Sequence, residues 1–234
     1  MLATLLLAPL LLAAPDDRQQ PQSPADDFRP DPEWKPLGRS LWFDPAKKRL
    51  VLRARVALRE GYLEHLLCRE QTKEHESILA TDAAPRMIHA GLLLTGAEVG
   101  RPVVFQPEFQ PPAGTPIRID LEWQDAQGRR HCACARDWVK DAQTGKPLEH
   151  DWVFAGSQLV EEENPKRILY AADGGDLITV ANFQSAILDV PFASSADDLS
   201  RSFVADTDRI PPRGTRVTLY LQPARPDPAP QKAP

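Results

Sequence analysis

Apolar and polar residues alternate with a period of two in several segments of this chain. Residues 50–58 read LVLRARVAL and residues 117–123 read IRIDLEW. Successive side chains of a β-strand point to opposite faces, so this alternation is typical of strands with one buried face. Shorter apolar segments predict further strands at 103–105, 129–136, 151–155, 168–171, 177–180 and 217–221. The chain is therefore expected to be rich in β-structure.

Helical features are confined to one segment. Asp82 suits an N-cap, Pro85 a first helical turn and Gly96 the residue after a helix, which predicts a buried helix over 84–95. Residues 59–61 can turn the chain, so 62–68 is expected to pair with 50–58 as an antiparallel hairpin. The pattern gives about eight to ten strands, one or two helices and no βαβ alternation. The predicted fold class is α+β, mainly antiparallel β with one or two short helices packed on the sheet.

Proline and apolar residues at the two ends suggest the domain organisation. Residues 2–13, LATLLLAPLLLA, are shorter than the ~20 residues that span a bilayer and fit the core of a signal peptide, predicted at 1–14. A buried N-terminal helix in a cytosolic protein is the alternative. Polar, proline-rich segments at 15–36 and 223–234 predict a disordered linker and tail. Residues 37–222 then form a single globular domain of ordinary size. The protein is expected to be secreted or periplasmic.

Charge and the missing signatures exclude several functional classes. The formal net charge of -5 argues against binding to nucleic acid. A second apolar segment long enough to span a membrane is not found, so no membrane span is expected in the mature chain. The sequence contains no phosphate-binding loop, nucleophile elbow, dinucleotide-binding glycine pattern or HExxH zinc motif. The expected partner is therefore an unidentified small ligand or protein.

The cysteines are Cys68, Cys132 and Cys134. Their number excludes a site with four cysteine ligands for zinc or an iron–sulfur cluster within this chain, and the cofactor is unknown. Cys132 and Cys134 share one face of a predicted strand and are badly placed to bond each other. Cys68 could bridge to one of them in an oxidising compartment, but buried free thiols are the favoured state.

Residues 68–77, CREQTKEHES, contain the densest group of chemically active side chains. The connection from Cys68 to the predicted helix is about fifteen residues long, against ~4–6 for a typical connection. Long ordered loops on a rigid scaffold often carry binding groups. The candidate ligand-binding residues are Cys68, Thr72, Lys73, His75, Glu76 and Ser77. Catalytic residues are not identified by the sequence.

The spacing within this loop is compatible with two kinds of ligand. In an extended segment Lys73, His75 and Ser77 share one face, which suits an anion. Glu74 and Glu76 share the other face, which suits a metal ion if a histidine joins them. Such a site would use His75 with a distant histidine, which could be His65, His89 or His131. No recognised ligand spacing is present, so no metal ligand is assigned.

Two further roles are open for the same loop. Cys68 could be a nucleophile activated by His75 if the two side chains meet in space. Alternatively, the charged residues could cap the helix and pair with Arg69 or Arg86. The leading hypothesis is an exported, non-enzymatic binding or accessory domain with its ligand surface at the Cys68–Ser77 loop. The alternative is a metal- or thiol-dependent redox accessory protein or enzyme that uses Cys68, His75 and Glu76.

Five segments together resemble a YdjY-type domain: CREQTKEHESIL, PRMIHAGLLLTG, FQPPAGTPIRIDLEW, GKPLEHDWVFAGS and GGDLITVANFQSAILDVPFASS. The resemblance covers residues 40–221, and its most specific blocks are TKEHES and WVFAGS. Domains of this type are common in secreted planctomycete proteins and have no established reaction. Some relatives are ferredoxin-like with a cysteine-rich segment, but this chain has no CxxC, so an iron–sulfur cluster is not carried over. The resemblance directs attention to 72–77 and then to Asn182, Asp189, Ser194 and Ser195.

Overall fold

The structure is a computed structural model, and it describes residues 28–163, 166–195 and 202–224. The predicted signal peptide at 1–14, residues 15–27 of the predicted linker and residues 225–234 of the predicted tail lie outside the described residues. None of the helices in the described part of the chain has the length and apolar character needed to cross a membrane.

The described residues form fifteen strands and one α-helix. The strands are β1 (Lys35–Gly38), β2 (Leu41–Asp44), β3 (Arg49–Val56), β4 (His65–Arg69), β5 (Ser77–Thr81), β6 (Pro116–Gln124), β7 (Arg130–Cys134), β8 (Val139–Asp141), β9 (Trp152–Phe154), β10 (Leu159–Glu163), β11 (Lys166–Tyr170), β12 (Asp176–Thr179), β13 (Leu188–Asp189), β14 (Phe203–Ala205) and β15 (Arg216–Pro223). The α-helix is α1 (Pro85–Leu94), and short 3-10 helices occupy Glu74–Glu76, Ala135–Trp138 and Ala171–Gly174.

Eight of the strands close into a barrel. Their order is β3, β15, β6, β9, β13, β12, β4 and β5, and β5 pairs back to β3. The β12–β13 and β4–β5 pairs are parallel, and the other six pairs are antiparallel. One cluster of buried apolar side chains includes residues from all eight strands and from α1. Closure pairs both sides of every barrel strand, which removes the open edges of a flat sheet.

The predicted α+β class is therefore wrong. The described part of the protein is mostly β-structure built around a closed eight-stranded barrel, with only 11% of the described residues helical, and it is not a mainly antiparallel sheet packed with helices. The prediction rested on the alternation of apolar and polar residues, which carries limited information. Alternation shows which face of a strand is buried, but it does not identify the neighbouring strand or show whether the sheet closes.

The predicted hairpin of 50–58 with 62–68 is also wrong. β3 pairs with β2, β15 and β5, whereas β4 lies between β12 and β5 and runs parallel to β5. β5 therefore separates the two segments. All five of its residues are buried, so it lacks the apolar–polar alternation that predicts a strand.

The other predicted segments agree better with the structure. Predicted strands at 117–123, 129–136, 151–155, 168–171, 177–180 and 217–221 correspond to β6, β7, β9, β11, β12 and β15. The prediction at 103–105 is wrong, because only an isolated bridge from Val104 to Gln110 forms there.

The helix predicted over 84–95 is confirmed as α1. Pro85 opens it, and Gly96 follows it with a φ of 87°, a conformation that favours glycine. The N-cap residue is Ala84 rather than Asp82. Ile88 and Leu92 are buried in the core cluster.

Candidate functional site

The structure divides the predicted Cys68–Ser77 loop between the interior and the surface. Cys68 at the end of β4 and Ser77 at the start of β5 are fully buried, and Glu76 is almost fully buried. Thr72 is exposed, and the side chain of His75 is 74% exposed. The six predicted residues therefore do not form one surface.

Cys68 has the environment of a structural thiol. Burial raises the pKa of the Cys68 thiol, although hydrogen bonding with Ser77 opposes the shift. A raised pKa disfavours the thiolate, which is the reactive form. The hydroxyl groups of Thr72 and Ser77 donate to the carbonyl oxygens of Arg69 and Leu79. These polar groups are used inside the fold, which weakens the nucleophile hypothesis.

All three cysteines are free thiols. The preference for free thiols over a Cys68 disulfide is thus confirmed. The expectation that the thiols are buried holds only for Cys68, because Cys132 is exposed and Cys134 is half-buried on β7.

The charged residues of the loop pair mainly with one another and with β3. Glu74 Oε1 lies 2.8 Å from an Arg55 guanidinium nitrogen. The Nε2 atom of His75 lies 3.5 Å and the Nζ atom of Lys73 lies 4.0 Å from Glu76 Oε1. The predicted partners Arg69 and Arg86 both contact Asp173 instead, through its carbonyl oxygen and its carboxylate respectively.

Glu64, His65 and Glu76 form the only group in the described residues in which three potential metal ligands converge. One ligand atom from each side chain lies within 4.8 Å of the other two, and all three residues are buried. The parallel register of β4 and β5 explains the arrangement. It pairs His65 with Ser77, so the preceding residues Glu64 and Glu76 lie side by side. The backbone N–H of Glu64 donates to the carbonyl oxygen of Glu76 at 3.1 Å.

His65 is fully buried and is oriented by three neighbours. Its Nε2 atom lies 2.8 Å from Oδ1 of Asp176 on β12, and its ring stacks on Phe183 with centroids 5.4 Å apart. The Ser185 hydroxyl donates to the other carboxylate oxygen of Asp176. An ionised carboxylate only accepts hydrogen bonds, so Nε2 carries the proton. Neutral His65 therefore has its lone pair on Nδ1.

Nδ1 of His65 is buried and has no hydrogen-bond partner within the described ranges. Burial alone raises the pKa of Asp176, but hydrogen bonds from His65 and Ser185 outweigh it, so the pKa lies below its usual range. Asp176 is therefore ionised and fixes the proton of His65 on the opposite ring nitrogen. A histidine that donates to a carboxylate through one nitrogen and binds a cation through the other is a common arrangement in metal sites.

The resemblance also directed attention to Asn182, Asp189, Ser194 and Ser195, and three of these residues form a hydrogen-bond network beside the cluster. Asp189 is fully buried and accepts hydrogen bonds from Thr179, Asn182 and the backbone N–H of Val190 and Phe183. Asn182 Oδ1 accepts from the backbone N–H of Ser194 at 2.8 Å. Ser195 is half-buried. This network fixes the segment that places Phe183 on the His65 ring.

Asp189 makes the stability of the protein depend on pH. Burial raises the pKa of Asp189 to about 7, although hydrogen bonds from Thr179 and Asn182 oppose the shift. The unfolded value is ~3.9, so the native state holds the proton more tightly. The stabilisation is complete below the unfolded pKa and is lost as the pH rises through about 7. From pH 6 to 8, wild type should lose about 1–2 kcal/mol relative to Asp189→Asn, which does not titrate.

Urea denaturation of both proteins at the two pH values measures this loss. Other titrating groups are common to both chains and cancel in the difference. An unchanged difference would show that Asp189 is ionised at both pH values.

Sequence reasoning identified Glu76 and mentioned His65 only as a distant partner of His75. It missed Glu64, Asp176 and Ser185. The available signal was the pair Glu64-His65 followed twelve positions later by Glu76-Ser77, because a parallel pairing of the two segments brings both carboxylates together. That signal required β5 to be recognised as a strand.

Comparison with known proteins gives one match. A family model described as the YdjY domain matches residues 41–222. No curated protein sequence matches the chain, and no solved structure matches it. The matched range contains every residue of the cluster and of the network behind it.

Proposed function

The chain belongs to the YdjY domain family, and from its side-chain geometry we propose that it is an exported binding or accessory domain for a divalent transition-metal cation. Glu64, His65 and Glu76 bind the cation, and Asp176 and Ser185 orient His65. The apolar segment 2–13 supports export as part of the same proposal, because it has the length of a signal-peptide core.

The observation that carries this proposal is the buried Nδ1 atom of His65, which lacks a hydrogen-bond partner in the described part of the chain. An unsatisfied buried polar atom costs about 1–3 kcal/mol. Glu64 and Glu76 each bring a carboxylate oxygen within 4.8 Å of a ring nitrogen of His65. A divalent cation removes this cost, because it accepts the nitrogen lone pair, and it is attracted by the two carboxylates.

The donor set indicates the class of cation. One imidazole nitrogen and two carboxylate oxygens suit borderline ions such as Zn²⁺ and Fe²⁺. Ca²⁺ and Mg²⁺ prefer sites made of oxygen ligands alone. Three protein ligands leave coordination positions for water or for a ligand from a partner.

The predicted loop contributes the outer edge of this site. Lys73 and His75 lie beside the carboxylate of Glu76, and His75 is exposed. A molecule approaching the cation from solvent would meet these two side chains first. Of the residues expected from the sequence, the proposed site keeps Glu76 as a ligand and places Lys73 and His75 beside it.

The competing explanation is a doubly protonated His65 among the carboxylates of Asp176, Glu64 and Glu76. An imidazolium would also neutralise part of the acidic charge, and it would need no cation. The two explanations differ in cation binding, which can be measured directly.

Isothermal titration of metal-stripped protein with Zn²⁺ tests the proposal. Cys132 and Cys134 are free on β7 and can bind Zn²⁺ themselves, so all proteins carry Cys132→Ser and Cys134→Ser, called here the serine background. We expect one Zn²⁺ per chain, and at least about 100-fold weaker binding after Glu76→Gln, since even outer ligands change affinity ~10–100-fold. Glu74→Gln is the matched control in the same 3-10 helix and should leave the affinity unchanged. Equal binding by both variants, or no stoichiometric binding at all, would overturn the proposal.

A further inference from the structure

A cavity of about 380 Å³ lies between α1, β11 and the chain around residues 99–102 and 155–157. Its wall includes Arg86, His89, Val99, Leu159 and Tyr170. None of these residues belongs to the Glu64–His65–Glu76 cluster. The volume is within the ~300–1,000 Å³ range of pockets that hold small organic molecules.

The polar floor of this cavity has a defined direction of hydrogen bonding. The Tyr170 hydroxyl donates to the carbonyl oxygen of Gly156 at 3.1 Å. That hydroxyl has one proton. With this proton donated to Gly156, the contact of 2.8 Å between its oxygen and His89 Nδ1 is a hydrogen bond in which Nδ1–H of His89 donates. Burial lowers the pKa of His89, against hydrogen bonding to Gly156, which favours the neutral ring. In that form Nε2 has a free lone pair and is a hydrogen-bond acceptor.

The rest of the wall is suited to an apolar molecule. Val99 is 47% exposed and Leu159 is 66% exposed. Leu93 lies one turn beyond His89 on the same side of α1 and is also exposed. Binding of an apolar ligand over exposed apolar side chains removes their contact with water, which lowers the free energy of the complex.

Arg86, the charged residue in the cavity wall, does not favour an anionic ligand. The Arg86 guanidinium lies 3.0 Å from the carboxylate of Asp173, so its charge is already matched, and it sits 5.5 Å from the centre of the Tyr170 ring. A neutral ligand therefore leaves this ion pair intact.

Local backbone geometry makes this wall rigid. Ser157 is held with a φ of 62°, which is uncommon for a residue other than glycine, and its Oγ atom accepts from the backbone N–H of Ala172 at 3.0 Å. The preceding Gly156 has a φ of 90° and presents its carbonyl oxygen to Tyr170. The acceptor nitrogen of His89 is thus fixed before any ligand arrives, which lowers the entropy cost of binding.

We propose that this cavity binds a neutral, largely apolar organic molecule that donates one hydrogen bond to Nε2 of His89. The site is separate from the proposed cation site and does not depend on it. The apolar body of the ligand covers Val99 and Leu159, and its hydroxyl or amide N–H group meets His89.

Two compounds with the same ring system test the hydrogen bond. 2-Naphthol has a hydroxyl donor, whereas 2-methoxynaphthalene does not. In titrations of the full chain followed by NMR, we expect 2-naphthol to bind at a single site about tenfold more tightly, the value of one net hydrogen bond. His89→Phe should abolish this difference, and His150→Phe, the same change at an exposed position, should preserve it.

A second variant covers the case in which His89→Phe does not fold. Leu159→Asp changes an exposed side chain on the cavity wall and should weaken both compounds severalfold without loss of the fold. Equal affinities of the two compounds for wild type, tighter binding of the anion 2-naphthoate, or no saturable binding at millimolar concentration would each overturn the proposal.

Discussion

The Leu92→Ala variant is expected to lose about 2–5 kcal/mol of unfolding free energy. Leu92 is fully buried, and α1 packs against β2 and β3 through this side of the helix. Truncation removes apolar contacts and leaves a cavity that the closed barrel cannot easily collapse to fill. Urea denaturation with a common slope for wild type and variant gives the difference directly.

Leu93→Ala is the matched control for this variant. Leu93 is the next residue of the same helix and is 47% exposed, so the same truncation should change stability by no more than about 0.5 kcal/mol. Similar losses for the two variants would mean that α1 does not present the Leu92 side to the barrel.

Local pattern was sufficient to predict those elements whose two faces differ in burial. β6 and β15 alternate between buried and more exposed residues over part of their lengths, and both were predicted close to their observed bounds. α1 was predicted because Pro85 and Gly96 mark its ends and one side is apolar. In these segments the information lies within about ten neighbouring residues.

Closure of the barrel could not be predicted in this way, because it depends on contacts between distant segments. β5 is buried on both faces and therefore has no period of two, yet it joins β4 to β3 and completes the ring. Without β5, residues 50–58 and 62–68 are adjacent apolar segments separated by a turn, and a hairpin is the simplest prediction. The wrong hairpin and the wrong fold class therefore have the same cause.

The same missing strand explains the errors at the site. The sequence predicts a single loop over residues 68–77, but Ser77 begins β5, and both Glu76 and Ser77 are buried. Glu64 joins Glu76 only through the parallel register of β4 and β5. Asp176 is 111 residues from His65 in the chain, a separation that no spacing rule within one segment can detect.

A cation in this cluster is expected to stabilise the fold to a measurable extent. A ligand that binds only the native state adds about 2.7 kcal/mol at a concentration one hundred times its dissociation constant. For a domain of this size, that corresponds to a rise of about 5–11 °C in melting temperature. Zn²⁺ should therefore raise the melting temperature of the metal-stripped serine background, and a chelator should reverse the change.

His65→Phe in the same background should abolish this rise. Phenylalanine keeps an aromatic ring beside Phe183 but has no nitrogen for either Asp176 or a cation. Its stability without metal will differ from that of wild type, so the informative quantity is the change that Zn²⁺ causes in each protein. His75→Phe, the same substitution on the exposed side of Glu76, should retain most of the rise.

If His65→Phe responds to Zn²⁺ as strongly as the parent protein, the buried nitrogen is not a ligand. If instead Zn²⁺ has no effect on either protein, the cluster does not bind this cation and the proposal fails.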